Sequence, residues 1–405
     1  MLILGGLGNI TGAMVGGFIL GVAEVFSVAY GASTFRDAVA FGLIILLLFW
    51  RPQGLFGSKD KGGETIMDLL NPYYLQIVMF FIINAIMGGI SIYFTLSSGQ
   101  LSLGAAGFMS VGAYVGGALL SLKAELPIVV GIIVGGLVAS LVAVVIGLPT
   151  TRLRGLYLAI ATLGFGEVVR VVFLNLDVTN GALGLSGIPS IPQELTNYAY
   201  EYDLDGLMGI DAVTWGNLMA IIILFIILAI TIAFCVRINN SRVGRAFAAI
   251  KADDHAAELM GINVVYYKMM AFIIGAFIAG IGGGLYAHVT NFINPTDFSY
   301  HKVVQILLFP VFGGSNVVWG SVLGSFILTL LPEVLRFLSD YRDIIYGALL
   351  VILMAVRPDG ILTESMVDRI SRKLGFKKAP PYIPETQVLT ERFEAYKRKQ
   401  AESKE

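Results

Sequence analysis

Apolar runs long enough to cross a membrane recur along this chain. The run from 214 to 236, for example, contains no Asp, Glu, Lys or Arg. In hydrocarbon the backbone must satisfy its own hydrogen bonds, so about 18 or more consecutive apolar residues predict a spanning helix. Only 14% of the residues are charged, against about a quarter in soluble domains. The sequence therefore predicts an all-α polytopic membrane protein.

The charges of the polar stretches predict how this protein is oriented. Residues 177–213 carry acidic residues and no Lys or Arg, whereas 237–268 and the tail after Arg357 are rich in Lys and Arg. Because basic residues are enriched on the cytoplasmic side, 237–268 and the tail are predicted to lie inside. About ten hydrophobic segments are predicted, from the candidates 13–33, 36–50, 73–97, 99–122, 126–148, 155–175, 214–236, 265–290, 299–312, 317–338 and 341–356.

One of these segments is predicted to be broken or re-entrant. The linker 51–61 and the turn at Arg152 both carry basic residues, so an even number of crossings should separate them, yet three segments lie between. The segment 99–122 is rich in glycine, which weakens a helix and allows close approach of neighbouring backbones. Broken helices at membrane depth line protein or a watery path.

An internal repeat predicts the domain organisation. GGLGNITGAMVGGFIL at 5–20 is similar to GGSNVVWGSVLGSFIL at 313–328, and Arg51-Pro52 recurs as Arg357-Pro358. Residues 1–57 are thus interpreted as the C-terminal fragment of a first unit, either a truncated copy, which we favour, or a fusion remnant. A polar linker at 58–72, a complete unit at 73–362 and a charged cytoplasmic tail at 363–405 follow.

Several motifs resemble one known family. They are SGQLSLGAAGFMSVGAY at 98–114, LRGLYLAIATLGFGEVVR at 153–170, TNGALGLSGIP at 179–189 and SRVGRAFAAIKADDHAAELMGI at 241–262. With them, residues 67–362 resemble the LivM-like permeases of ABC importers for branched-chain amino acids, and residues 1–57 resemble the end of a LivH-like permease. The resemblance implies a cell inner membrane protein that moves Leu, Ile or Val.

The same resemblance implies partners. They are two ABC ATP-binding subunits, a second LivH-like permease, a periplasmic or lipid-anchored amino-acid-binding protein, and membrane lipid. The chain itself has no GxxxxGK[ST] loop to cradle phosphates, so ATP is expected to be used by partner subunits and no cofactor is expected on this chain. The net charge of −1 gives no attraction for nucleic acid.

The stretch 241–262 is predicted to be a cytoplasmic amphipathic helix. Ala246, Phe247, Ile250, Leu259 and Met260 are expected on its apolar face, Ser241 at its start and Gly261 at its end. The resemblance implies that it docks on the ATPase subunits, and the alternative is a helix on lipid headgroups. The candidate coupling residues are Arg242, Gly244, Arg245, Ala246, Ala257, Glu258 and Gly261.

Two further sets of candidate residues follow from the implied cargo and from its binding protein. An apolar zwitterion needs small residues and hydroxyls along its pathway more than fixed charges, although close helix packing explains such residues equally well. The candidate pathway residues are Gly99, Gln100, Ser102, Gly104, Gly107, Ser110 and Tyr114. For docking of the binding protein on the outer loop the candidates are Asn180, Gly181, Gly184 and Gly187, and a plain connecting loop is the alternative.

Buried charges and rival functions complete the sequence predictions. Glu167 and Arg170 are three apart on one helix face, which favours a structural ion pair over a role in contacting substrate. No metal site is expected from the isolated His288 and His301. A membrane-embedded enzyme would need a cluster of ionisable groups at one depth, and the sequence indicates no such cluster. Import of another small solute, such as urea, a short amide or a sugar, and ion-coupled transport are the alternatives.

Overall fold

The computed structural model describes residues 72–150, 153, 155–202, 211–334, 347–348, 351, 360–363 and 366. The chain divides into two compact units, Met1–Leu69 and Leu70–Glu405, and all the described residues belong to the second. The predictions for 1–57 and for the linker before Pro72 lie outside the described residues. So do those for most of 341–356 and of the tail after 363.

The described residues are nearly all helical, which confirms the predicted fold class. The helices are α1 Pro72–Asn84, α2 Ser91–Ser97, α3 Ala105–Gly112, α4 Ile128–Thr150, α5 Leu156–Asn175, α6 Ile191–Glu201, α7 Ala212–Asn239, α8 Arg242–Ala252, α9 Asp254–Leu259, α10 Val264–Thr290, α11 Tyr300–Gly313 and α12 Val318–Val334. Two π-helical stretches, Ala85–Ile90 and Ala113–Lys123, join α1 to α2 and extend α3. Two short antiparallel strands, β1 Leu185–Ser186 and β2 Phe292–Ile293, pair between loops.

The long helices have the length and surface of membrane spans. The helix Ala105–Lys123 and helices α4, α5, α7 and α10 are each long and apolar enough to cross a membrane by length and composition. Their outward faces carry exposed apolar side chains, such as Leu141 at 67%, Leu156 at 69% and Ile230 at 64%. In a bilayer such faces contact lipid tails, so their exposure is the expected arrangement.

The predicted segments between 73 and 313 coincide with helices, except at 99–122. There the chain leaves α2 after Ser97, turns at Gly99 with φ +74°, and resumes as a helix at Ala105. The helix then runs without interruption to Lys123, whose Nζ donates to the backbone oxygen of Val178 in the acidic loop, 2.9 Å away. The predicted break therefore lies at the beginning of the segment, before Ala105.

Close packing explains the glycines of this helix. A Cβ on Gly112 would lie 2.0 Å from the backbone oxygen of Gly280 in α10, and one on Gly283 would lie 1.9 Å from that of Met109. The glycines thus bring α3 and α10 into backbone contact and do not break the helix. The expectation of an even number of crossings rested on a cytoplasmic location of the linker 51–61. That linker lies outside the described residues.

Candidate functional site

The predicted coupling stretch consists of two helices instead of one. The side chain of Ser241 accepts a hydrogen bond from the backbone N–H of Val243 at 3.1 Å and begins α8, as predicted. Asp253 then leaves the helical conformation, and its Oδ1 accepts from the backbone N–H groups of Ala256, at 3.1 Å, and His255, at 2.8 Å. These hydrogen bonds hold the pKa of Asp253 below its usual range. Helix α9 ends at Leu259, shortly before Gly261, whose φ is +85°.

The interruption at Asp253 changes which side chains are buried. Ala246, Phe247 and Ile250 are buried as predicted, but Leu259 and Met260 are 89% and 84% exposed, so their placement on the same apolar face is wrong. The spacing assumed a continuous helix, and the change of direction at Asp253 places α9 out of register with α8. Two large apolar side chains are therefore left exposed at the end of α9.

The predicted coupling residues divide between surface and core. Arg242, Arg245, Glu258 and Gly261 are exposed, while Ala246 and Ala257 are buried. A Cβ on Gly244 would lie 2.3 Å from the backbone oxygen of Asn239. The charged members of this set thus face outward, and the small members pack the two helices onto the preceding chain.

Lys251 in α8 contacts two turns of the membrane domain. Its Nζ donates to the side-chain oxygen of Asn316, in the turn between α11 and α12. Its Cα lies against the turn after α2, where a Cβ on Gly99 would be 3.3 Å away. Helix α9 is also tied to α10, through an ion pair between Asp254 and Lys268. We call this end of the domain, formed by α8, α9 and the turns at 98–104 and 314–317, the inner end.

The turn at 98–104 contains buried polar groups. Gln100 is 3% exposed, and neither its amide nitrogen nor its amide oxygen has a hydrogen-bond partner. Ser102, also buried, accepts from the backbone N–H of Gly104 at 3.3 Å. Beside the turn lies a cavity of about 10 Å³, whose lining residues include Ser91, Thr95 and Ser102. This volume is at the lower limit for holding one water molecule.

Further along the predicted pathway, two more polar groups have no partner. The hydroxyls of Ser110 and Tyr114 are buried and make no hydrogen bond. The ring of Tyr114 stacks on Phe173 of α5, with 4.4 Å between centroids. Gly107 faces α5, where a Cβ would lie 2.8 Å from the Cα of Gly166. The predicted pathway set is thus mixed, since Gly107 packs α3 on α5 and Gly99 turns the chain, while Gln100, Ser110 and Tyr114 keep unused polar atoms.

The predicted docking residues form a tightly turned loop. Asn180, Gly181, Gly184 and Gly187 all have positive φ, and the Asn180 side chain donates to the backbone oxygen of Gly184 at 3.2 Å. Strand β1 pairs this loop with β2. From α10, the Nδ1 of His288 lies 2.7 Å from the backbone oxygen of Pro189. We call this end of the domain, formed by residues 176–190 and 291–299, the outer end.

Two predictions concern charges and metals. Arg170 pairs with Glu167, its Nε donating to the Glu167 carboxylate at 2.8 Å, while that carboxylate side chain is 47% exposed. Their geometry is that of the predicted structural pair. Among the described residues no group of three or more His, Cys, Asp or Glu side chains could hold a metal ion.

Sequence reasoning missed one group of residues near the outer end. Lys302, in the first turn of α11, reaches Asn84 of α1 and covers the ring of Tyr286. Asp297, five residues earlier, acts electrostatically on this lysine. The available signal was a lysine inside the predicted apolar segment 299–312, because ionisable residues within membrane segments are functional candidates.

These features define a polytopic helical membrane protein with a charged, exposed pair of helices at one end and buried polar groups along a central helix. The family described as "Branched-chain amino acid transport system / permease component" matches residues 73–354. The chain belongs to this family.

Named relatives agree with the family match. The chain is 31% identical over 340 residues to the high-affinity branched-chain amino acid transport system permease protein LivM of Salmonella typhimurium, covering 82% of this chain and 76% of that protein. It is also 31% identical over 141 residues to LivH of Escherichia coli, covering 34% and 46%, and 53% identical over 58 residues to BraD of Pseudomonas aeruginosa, covering 14% and 19%. No solved structure matches the chain.

Proposed function

We propose that this chain is the transmembrane permease subunit of an ABC importer that carries Leu, Ile and Val across the cell inner membrane. The energy comes from ATPase subunits on separate chains, because this sequence has no phosphate-cradling loop. A second, LivH-like permease and an amino-acid-binding protein complete the importer. The charged tail lies in the cytoplasm. The likeness to LivM over most of both chains supports this proposal.

The observation that carries the proposed mechanism is the position of Lys251. This residue of α8 contacts both the turn that precedes the helix Ala105–Lys123 and the turn between α11 and α12. A push on α8 by a closing ATPase therefore acts on both turns together. Movement of the two turns would open the pathway alternately to each side, and the unpartnered Gln100 lies in the first of them.

The cargo is the part of the proposal that an uptake experiment decides. Vesicles containing the full set of subunits are supplied with radiolabelled leucine, and ATP-dependent accumulation is measured. The proposal predicts leucine uptake that unlabelled isoleucine and valine inhibit. Clear transport of urea, a short amide or a sugar, without transport of leucine, would overturn the amino-acid assignment.

The coupling role of α8 needs a separate test. Arg245→Glu is the preferred variant, because Arg245 is exposed, whereas Gly244→Glu would collide with the backbone of Asn239. We expect Arg245→Glu to retain much less of the ATPase subunits in a pull-down than wild-type protein does. Lys123→Glu, at the opposite end, is the control. Equal retention by Arg245→Glu and wild type would exclude docking through this surface and would favour an ion-coupled transporter.

A further inference from the structure

Lys302, in the first turn of α11, places a positive charge against two neighbouring helices. Its Nζ lies 3.5 Å from the side-chain oxygen of Asn84 and 5.6 Å from the ring centroid of Tyr286. Asn84 is the last residue of α1, and Tyr286 lies in α10. An ammonium group packed among membrane helices is costly unless other groups compensate it.

Asp297 supplies an opposite charge nearby, yet the two groups do not form a direct pair. Asp297 directly precedes Phe298, whose ring packs edge-on against those of Tyr114 and Tyr286, and Tyr286 is also the ring beneath the ammonium of Lys302. Its Oδ2 accepts from the backbone N–H of Asn294 at 3.0 Å, which fixes its position. No contact of 4.0 Å or less joins it to the ammonium of Lys302. The two charges thus face one neighbourhood without neutralising each other directly.

Aromatic rings and one unused hydroxyl lie between these charges and the central helix. The ring of Phe298 is 6.0 Å from that of Tyr286 and 6.2 Å from that of Tyr114. Tyr114 is fully buried, and its hydroxyl has no hydrogen-bond partner. Such an unpaired buried group is rare in native proteins and indicates that a partner is missing.

We propose that Lys302 binds the carboxylate and Asp297 the ammonium group of a zwitterionic amino acid whose aliphatic side chain packs against Tyr114 and Phe298. This inference rests on the proposed function and names the residues that recognise its cargo. The rings of Tyr114 and Phe298 are buried in the present conformation. The amino acid therefore reaches the two charges in the outward-open conformation, in which these rings separate.

Two substitutions remove each charge with little change of shape. Lys302→Met keeps an unbranched side chain of similar length, and Asp297→Asn keeps an oxygen that can accept from Asn294. Lys123→Met is the matched control, because Lys123 is an exposed lysine at the outer end that donates to a backbone oxygen. Lys302→Arg keeps the positive charge and tests for rescue.

The experiment measures leucine uptake and ATP hydrolysis together, in vesicles that contain the complete importer and leucine-loaded binding protein. We expect Lys302→Met and Asp297→Asn each to lower leucine uptake at least tenfold, while the loaded binding protein still stimulates ATP hydrolysis. Lys123→Met should behave as wild type, and Lys302→Arg should restore part of the uptake. Hydrolysis without uptake is expected if docking and coupling are intact but cargo is not held.

Three other results have definite meanings. Unchanged leucine uptake in either variant overturns the assignment of Lys302 and Asp297. Equal loss of uptake and of hydrolysis in both variants shows that the charges are structural, and it overturns the assignment as well. Failure of the wild-type importer to take up leucine, with transport of another solute, defeats the proposed function itself.

Discussion

The inner and outer ends of this domain are held together in different ways. At the outer end, β-pairing, an Asn294–Asp297 capping box and the ring of His288 fasten two loops to each other and to α10. At the inner end, α8 and α9 have exposed charged surfaces, and they are held by buried apolar side chains such as Phe247 and by a few polar contacts. The outer end is therefore held mainly by hydrogen bonds between loops, and the inner end mainly by apolar packing beneath a charged surface.

The helix Ala105–Lys123 connects the two ends, so overcrowding it should have the largest effect. A side chain at Gly112 would collide with the backbone of Gly280, and we expect Gly112→Val to destabilise the domain by about 3 kcal/mol or more. Thermal unfolding of the purified chain measures the loss. Gly164→Ala is the control, because a Cβ there meets nothing within 4 Å. Equal stability of the two variants would contradict the close packing of α3 on α10.

Loosening the inner end should impair transport more than stability. Asn316→Leu removes the acceptor for Lys251, and we expect about tenfold less leucine uptake per ATP hydrolysed, with a thermal midpoint near that of wild type. Asn316→Asp keeps an acceptor for the ammonium and should transport nearly as well as wild type. If Asn316→Leu transports normally, the contact between α8 and the turn at 314–317 does not transmit movement.

The sequence predicted the long helices of this domain better than it predicted its single contacts. Hydropathy predicted most helices, because its signal is repeated over many residues. The interruption at Asp253 depends on two hydrogen bonds that one carboxylate accepts, and the helical periodicity of 241–262 did not reveal it. The position of Lys302 beside Asn84 joins residues 218 positions apart. Such a contact exists only after folding, so no local pattern predicts it.

The glycines of 99–122 have two roles that the sequence alone does not separate. A glycine weakens an isolated helix, but between packed helices it permits backbone contact, and only the partner helix decides which effect prevails. Gly112 has that partner in Gly280. Gly99, in contrast, does mark a turn, since its φ is +74°.

Weakening the outer end should have a moderate effect on stability. The Pro189 backbone oxygen can only accept, so the Nδ1 of His288 donates to it, while the Nε2 lies 3.3 Å from the hydroxyl of Ser121, which also reaches the backbone oxygen of Gly116. We expect His288→Ala to cost about 1–3 kcal/mol, the usual range for leaving buried polar groups unpaired, and to raise amide exchange in 177–190. Ser121→Ala should have a smaller effect. Unchanged exchange in His288→Ala would show that β1–β2 pairing alone holds the loop.

The smallest expected effect concerns the cap of α9 at the inner end. Hydrogen bonds from Ala256 and His255 hold the pKa of Asp253 below its usual value, which is about 3.9. A lowered folded-state pKa stabilises the fold above the unfolded value, and this contribution is lost as the pH falls through the folded value. The cap is therefore complete at neutral pH, and acid should release α9 only below the ordinary range of an aspartate.

Asp253→Asn tests whether the charge of the Asp253 carboxylate strengthens the cap of α9. Its amide oxygen can accept the same hydrogen bonds without a charge to titrate, so we expect slightly faster amide exchange over 254–259 at neutral pH and no added acid sensitivity. Asp253→Ala should show the faster exchange more strongly. A wild-type α9 that opens near pH 6 would contradict the assignment.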